Sequence, residues 1–128
     1  MHKGFIKIAA LLGALSVAAG AFGAHLLRTV LGPENLAVFE TAVRYQFYHV
    51  FALLATGLLF AGFPSAIIKR AGYLFIAGIF LFSGSLYLLC FVKQFGWHLE
   101  WIGAVTPVGG ISFIAGWILL FAGVIRRN

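Results

Sequence analysis

Charged residues are scarce in this sequence: only 9% of its 128 residues are Asp, Glu, Lys or Arg. A soluble domain of this size needs a polar surface, and this composition does not supply one. Among the charged residues the acidic ones are the rarer, three against nine Lys and Arg, which gives a formal net charge of +6. No basic face remains outside the hydrophobic runs, so the charge indicates membrane topology and not a nucleic-acid partner.

Cysteine occurs once, at Cys90. A single thiol excludes an intrachain disulfide and any metal or redox motif built on a pair of thiols. The sequence also lacks a nucleophile elbow, a zinc-protease motif, a P-loop and a dinucleotide-binding motif. Nothing in the sequence requires catalysis, and we predict no catalytic residue, no cofactor and no bound metal.

Hydrophobic residues are abundant, at 62% of the chain, and they fall into four runs of about 20 residues. A helix of that length crosses ~30 Å of hydrocarbon, and backbone groups in lipid must bond within the segment. We therefore predict an all-α integral membrane four-helix bundle, forming one domain over residues 1–128. The predicted helices cover residues 8–27, 33–63, 71–92 and 107–125.

Two of the predicted helices have starts that the sequence leaves open. Pro33 and Glu34 favour a second helix that begins before the membrane, and a break near Thr41 is the alternative. In the fourth run Thr106 is a candidate cap and Pro107 a candidate first residue. The alternative there is a continuous helix that is kinked at Pro107.

Basic residues divide unequally between the two ends of the predicted bundle. Four crossings place six of them on the side of the chain termini and three, Arg28, Arg44 and Lys93, on the other side. The positive-inside rule then predicts that both termini are cytoplasmic. The six residues on the predicted cytoplasmic side are Lys3, Lys7, Lys69, Arg70, Arg126 and Arg127.

Small residues recur every three or four positions in the first and fourth runs. Such stripes let membrane helices approach closely, either to close the bundle or to form a homo-oligomer interface. The first stripe consists of Ala9, Gly13, Ser16, Gly20 and Gly23. The second consists of Gly109, Ser112, Gly116 and Gly123.

Polar side chains concentrate toward the predicted non-cytoplasmic end. Ionisable groups in a membrane segment usually face the bundle interior or a cavity, because exposure to lipid is costly. Antiparallel packing predicts that His25 lies within about two helical turns of the depth of His49. These groups either bond between helices or form a site for a ligand, ion or proton. The candidate ligand or polar-network residues are His25, Glu40, Arg44, Tyr45, Gln46 and His49.

A second candidate site lies at the start of the fourth helix, on the same side. A helix amino end favours anions, and nearby cations add to that preference. A lipid head group is the candidate ligand, and interfacial anchoring by the cations is the alternative. The candidate residues are Arg28, Lys93, Thr106, Gly109 and Gly110.

Four short motifs resemble one family. They are GAFGAH at 20–25, TAVRYQFYH at 41–49, FSGSLY at 82–87 and TPVGG at 106–110. Together they are similar to small bacterial inner-membrane proteins of the YgdD and YwdK type, a family of unknown function with transmembrane protein 256 relatives in animals. The resemblance implies a four-helix protein of the cell inner membrane, and it supplies no reaction, substrate or active residue.

Three functional hypotheses follow. The first is a non-enzymatic membrane protein that associates with membrane lipids or protein partners through the polar cluster. The second is a small transporter, channel or proton-handling protein that uses the same cluster. The third, ranked last, is an enzyme that acts on a lipid-borne substrate with His25 or His49 as base.

Overall fold

A computed structural model gives the fold, and it describes residues 1–126 apart from the side chain of Ala24. Arg127, which contributed to the charge count above, lies outside the described residues. The described part of the chain is an all-α bundle of four main helices. We name them α1 (Lys3–Leu26), α2 (Pro33–Leu59), α3 (Ala66–Phe95) and α4 (Val105–Ile125).

Polar caps start two of the helices before their hydrophobic runs begin. The imidazole of His2 accepts a hydrogen bond from the Phe5 amide, and α1 therefore begins at Lys3 and not near residue 8. The Ser65 hydroxyl accepts from the Ile68 amide, so that α3 begins at Ala66. Each cap satisfies an amide that the first helical turn leaves unpaired.

The structure resolves both open helix starts. Helix α2 is continuous from Pro33 to Leu59, and the Thr41 hydroxyl donates to the Ala37 carbonyl without breaking the helix. A 3₁₀ turn, Glu100–Ala104, runs directly into α4. Pro107 therefore lies in the first turn of α4, where proline needs no amide partner.

Consecutive helices run antiparallel. Near the start of α1, the His2 amide donates to the Gly57 carbonyl at the end of α2 (2.8 Å). At the other end, the Gly32 amide before α2 donates to the Gln94 side chain at the end of α3 (2.8 Å). We call these the Lys3 end and the Gln94 end. The predicted grouping of charges fits this arrangement, and the cytoplasmic location of the Lys3 end stays a prediction.

Three helical segments are long and apolar enough to cross a membrane: Lys3–Gly23, Ala66–Phe95 and Glu100–Ile125. Helix α2 is of similar length but carries Glu34, Glu40 and Arg44 in its first half.

The small-residue stripes pack within the chain. Added Cβ atoms at Gly13 and Gly20 of α1 would lie 3.5 Å from Val50 and Val43 of α2. In α4, an added Cβ at Gly116 would lie 2.8 Å from the Phe75 ring of α3. Both stripes thus bring helices of one chain together, and oligomerisation through them stays a prediction.

Candidate functional site

Gln46 lies at the centre of a buried hydrogen-bond network that joins three helices. Its amide nitrogen donates to the Leu12 carbonyl of α1 (3.1 Å), which also accepts from the Ser16 hydroxyl (2.7 Å). Its amide oxygen accepts from the hydroxyl of Tyr87 in α3 (2.6 Å). The network fixes α1, α2 and α3 against one another in the apolar interior, where an unpaired polar group is costly.

His49 is bonded through both ring nitrogens. Its Nδ1 lies 2.8 Å from the Tyr45 carbonyl, and its Nε2 lies 3.1 Å from the indole nitrogen of Trp117 in α4. An indole N–H only donates, so Nε2 accepts and Nδ1 carries the proton. The ring stacks on Phe113 at a centroid distance of 3.4 Å. His49 therefore connects α2 to α4 as a neutral, fully bonded side chain.

Helix α3 contains a π-helical segment at Ile79–Ser83. The Ser83 hydroxyl, fully buried, donates to the Ala42 carbonyl of α2 (2.7 Å). The Phe82 backbone in the same segment packs against Gly109 of α4, where an added Cβ would lie 2.7 Å from the Phe82 Cα. The segment is therefore held on both sides, and π segments of this kind are frequent at functional sites.

A groove of about 380 Å³ opens on the side of the bundle next to this π segment. One wall is α1, with Leu12, Leu15 and Ala19, and the other is α3, with Ile79, Phe80 and Gly84.

The floor of the groove is α2, where Phe39 and Gln46 contribute to the lining, as does Tyr87 of α3. At the Lys3 end the walls meet, because the Phe5 ring of α1 occupies the space beside Gly72 of α3. The groove is thus a gap in the middle of the bundle between two helices that touch at one end.

The predicted polar cluster divides between the inside and the outside of the bundle. Gln46 and His49 are buried, at 5% exposure each. Glu40, Arg44 and Tyr45 are exposed on α2, and the described residues contain no ion pair between Glu40 and Arg44. Glu40 and Arg44 instead line a small groove beside Gly20 of α1. Of the predicted cluster residues on α2, two thus face the interior of the bundle and three face outward.

His25 is exposed at the end of α1, and the structure does not bring it to His49. Gly23 packs against Phe39 and Gly13 against Val50. In this register His25 lies opposite about residue 37, roughly 18 Å along α2 from His49. That separation is more than three turns and corrects the predicted two. Among the described residues, no three His, Cys, Asp or Glu side chains are grouped as metal ligands.

The candidate head-group residues are also divided. Thr106 does not cap α4; its hydroxyl shares a hydrogen bond with Ser85 of α3 (2.6 Å). Gly109 is buried against α3, and Gly110 lies next to it. Arg28, in a 3₁₀ turn after α1, and Lys93, near the end of α3, are both exposed.

Several important residues were not singled out by the sequence. Ser83 and Tyr87 lie within the motif FSGSLY, but neither spacing nor charge assigned them a role. Trp117 is the hydrogen-bond donor to His49, and an isolated tryptophan in an apolar run gives no such signal. Gln94 accepts from both Gly32 and Asn35, and it lies just beyond the end of the third predicted helix, where neither spacing nor charge assigns it a role.

Known proteins resemble this chain over nearly its whole length. A family model described as "Protein of unknown function (DUF423)" matches residues 19–110. The chain is 42% identical to the UPF0382 membrane protein SSP2132 of Staphylococcus saprophyticus over 124 residues, 97% of this chain and 98% of that protein. No solved structure matches.

Two further relatives are the proteins that the sequence motifs resemble. The UPF0382 membrane protein YwdK of Bacillus subtilis is 38% identical over 127 residues, 97% of this chain and 98% of that protein. The UPF0382 inner membrane protein YgdD of Escherichia coli is 39% identical over 118 residues, 92% of this chain and 86% of that protein. The resemblance is thereby confirmed: this chain belongs to the UPF0382 family of membrane proteins, the DUF423 family of unknown function.

Proposed function

We propose that this protein is a multi-pass inner-membrane protein that holds a hydrocarbon chain of a membrane lipid in the groove between α1 and α3. The observation that carries the proposal is the groove itself, a lateral opening of about 380 Å³ between two apolar helices. Ligand pockets commonly have volumes of about 300 to 1,000 Å³.

The position of the groove decides what can reach it. Its walls come from the middle third of α1, around Leu15, and from the middle of α3, around Phe80. In a helix that crosses the bilayer, residues at this position lie in the hydrocarbon layer. Lipid chains are therefore the molecules present at the opening.

The chemistry of the lining favours a hydrocarbon over a polar group. Gln46 and Tyr87 are the polar residues of the floor. The Tyr87 hydroxyl donates to the Gln46 amide oxygen, and the Gln46 amide nitrogen donates to the Leu12 carbonyl. The walls offer aliphatic and aromatic surface from Leu12, Leu15 and Phe80. Dispersion stabilises the contact between such a surface and a hydrocarbon chain, and an empty groove lacks these contacts.

The proposal includes four crossings. Helix α2 runs beside α1 from Gly57, at the Lys3 end, to Phe39, opposite Gly23. It therefore covers nearly the same thickness as α1, although its first half carries charge. Association with membrane lipids or protein partners is the class of function that the sequence predicts first. The proposal chooses the lipid and moves the contact from the polar cluster to the groove.

Gly84→Phe should remove the bound chain. A Cβ added at Gly84 meets nothing within 4 Å, so the backbone there has room for a side chain, and a ring attached at this lining position would take up space in the groove. We expect native mass spectrometry of the gently purified protein to show one retained lipid on the wild type. Its occupancy should fall about tenfold in the variant, equivalent to ~1.4 kcal/mol.

Two variants serve as controls. Ala55→Phe places the same ring on an exposed position of α2, outside the groove walls, and should retain the lipid. Gly84→Ala should keep both the fold and the lipid. Equal lipid occupancy in Gly84→Phe and Ala55→Phe, with both folded by circular dichroism, would refute the proposal.

A further inference from the structure

A second groove, of about 430 Å³, lies on the other side of α3. It runs between α3, with Ser85 and Leu88, and the segment that leads into α4, with Trp101 and Ile102. Like the first groove it is lined mainly by apolar side chains. The proposed function does not use it.

The two grooves share Phe80 and Gly84 as lining residues. Phe80 and Leu88 stand out from α3, at 64% and 56% exposure, and Gly84 lies between them with open space where a side chain would be. Phe80 and Leu88 form a ridge that separates the two grooves, and Gly84 leaves a notch in this ridge. At the notch the two grooves join into one surface across the outer face of α3.

The second groove also has a defined polar end. It extends from Phe80 toward the Gln94 end, where Trp101 is 66% exposed. Exposed tryptophans of membrane proteins are enriched at the level of the lipid head groups. A lipid in this groove would thus have its chain at Phe80 and its polar part beside Trp101.

We infer that the two grooves together hold one two-chain lipid, whose chains lie on either side of the Phe80–Leu88 ridge. This inference rests on the proposed function, because the first groove supplies one of the two chain sites. The apolar linings, the shared notch at Gly84 and the exposed Trp101 at one end all fit a lipid with two chains and one head group. A single-chain lipid would fill only one groove.

Competition between matched lipids tests the inference. The probes are dioleoyl phosphatidylglycerol and its single-chain lyso form, titrated onto the delipidated, folded full chain and followed by native mass spectrometry. We expect the two-chain lipid to bind the wild type at least about tenfold more tightly, equivalent to ~1.4 kcal/mol. Leu88→Trp, which fills the second groove, should reduce this preference to less than about threefold, or ~0.65 kcal/mol.

Two further variants separate the possible results. Leu15→Trp fills the first groove and should also reduce the preference, whereas Leu58→Trp changes an exposed leucine outside both grooves and should leave it unchanged. If Leu15→Trp weakens binding and Leu88→Trp has no effect, the inference fails and the proposed function stands. If neither variant changes the binding of either lipid, both fail. If chemical cross-linking through the grooves yields a dimer of this chain in place of bound lipid, the inference also fails.

Discussion

Gly109→Ala is expected to destabilise the bundle by about 3 kcal/mol, the upper part of the range for overpacked cores. The added methyl would overlap the Phe82 backbone nitrogen and lie 2.7 Å from its Cα. Backbone atoms cannot rotate away as a flexible side chain can. The Phe82 backbone is also held by its neighbour Ser83, which bonds to the Ala42 carbonyl of α2. Relief would therefore require α3 and α4 to move apart.

Gly84→Ala is the matched control, two residues from Phe82 on the same helix. The methyl there meets nothing within 4 Å. Because alanine favours a helix by about 1 kcal/mol over glycine, this variant should be neutral or slightly more stable. Reversible unfolding in detergent, followed by circular dichroism, measures the free energy of unfolding of Gly109→Ala and of Gly84→Ala. Equal stabilities of the two variants would contradict the close contact between α3 and α4.

His49→Ala should destabilise the bundle by about 3 to 5 kcal/mol, as for other buried rings truncated to alanine. The effect is comparable with that expected for Gly109→Ala. The imidazole fills the space between α2 and α4, stacked on the Phe113 ring at 3.4 Å. Its loss leaves a cavity and removes the acceptor of the Trp117 indole N–H. The contacts described for His49 are all with other residues of the bundle.

His49→Phe separates the packing from the hydrogen bonds. A phenyl ring keeps the stack on Phe113 but bonds to neither Trp117 nor the Tyr45 carbonyl. Side-chain hydrogen bonds in membrane proteins average about 0.6 kcal/mol, so this variant should lose only ~1 kcal/mol in the unfolding measurement. If His49→Ala stays as stable as the wild type but alters proton flux in liposomes, His49 handles protons and the structural role is wrong.

Hydropathy and charge predict the main helices and their antiparallel order, because the helices and their order depend on composition over many residues. The exact starts at Lys3 and Ala66 depend on single capping side chains, His2 and Ser65, placed outside the apolar runs. The π segment was not predictable. It is held by contacts of Ser83 and Phe82 with two other helices, and no local pattern encodes them.

The polar residues show a second limit of sequence reasoning. Spacing predicts which side chains share a helix face, but it does not predict which face meets another helix. Glu40 and Arg44, four apart, both point outward, whereas Gln46 and His49 turn inward and bond to Tyr87 and Trp117. Which face is inside depends on the packing of α1 and α3 against α2.

Photolabelling in native membranes tests the central claim, that the gap between α1 and α3 holds a lipid chain. A phospholipid with a diazirine near the middle of one chain would be activated in inner-membrane vesicles, and the labelled peptides identified by mass spectrometry. We predict labels concentrated on peptides that contain Leu15 and Phe80, well above those at the similarly exposed Phe51 and Leu58. Gly84→Phe should abolish this excess. Labelling that is uniform over these four exposed positions would contradict the account.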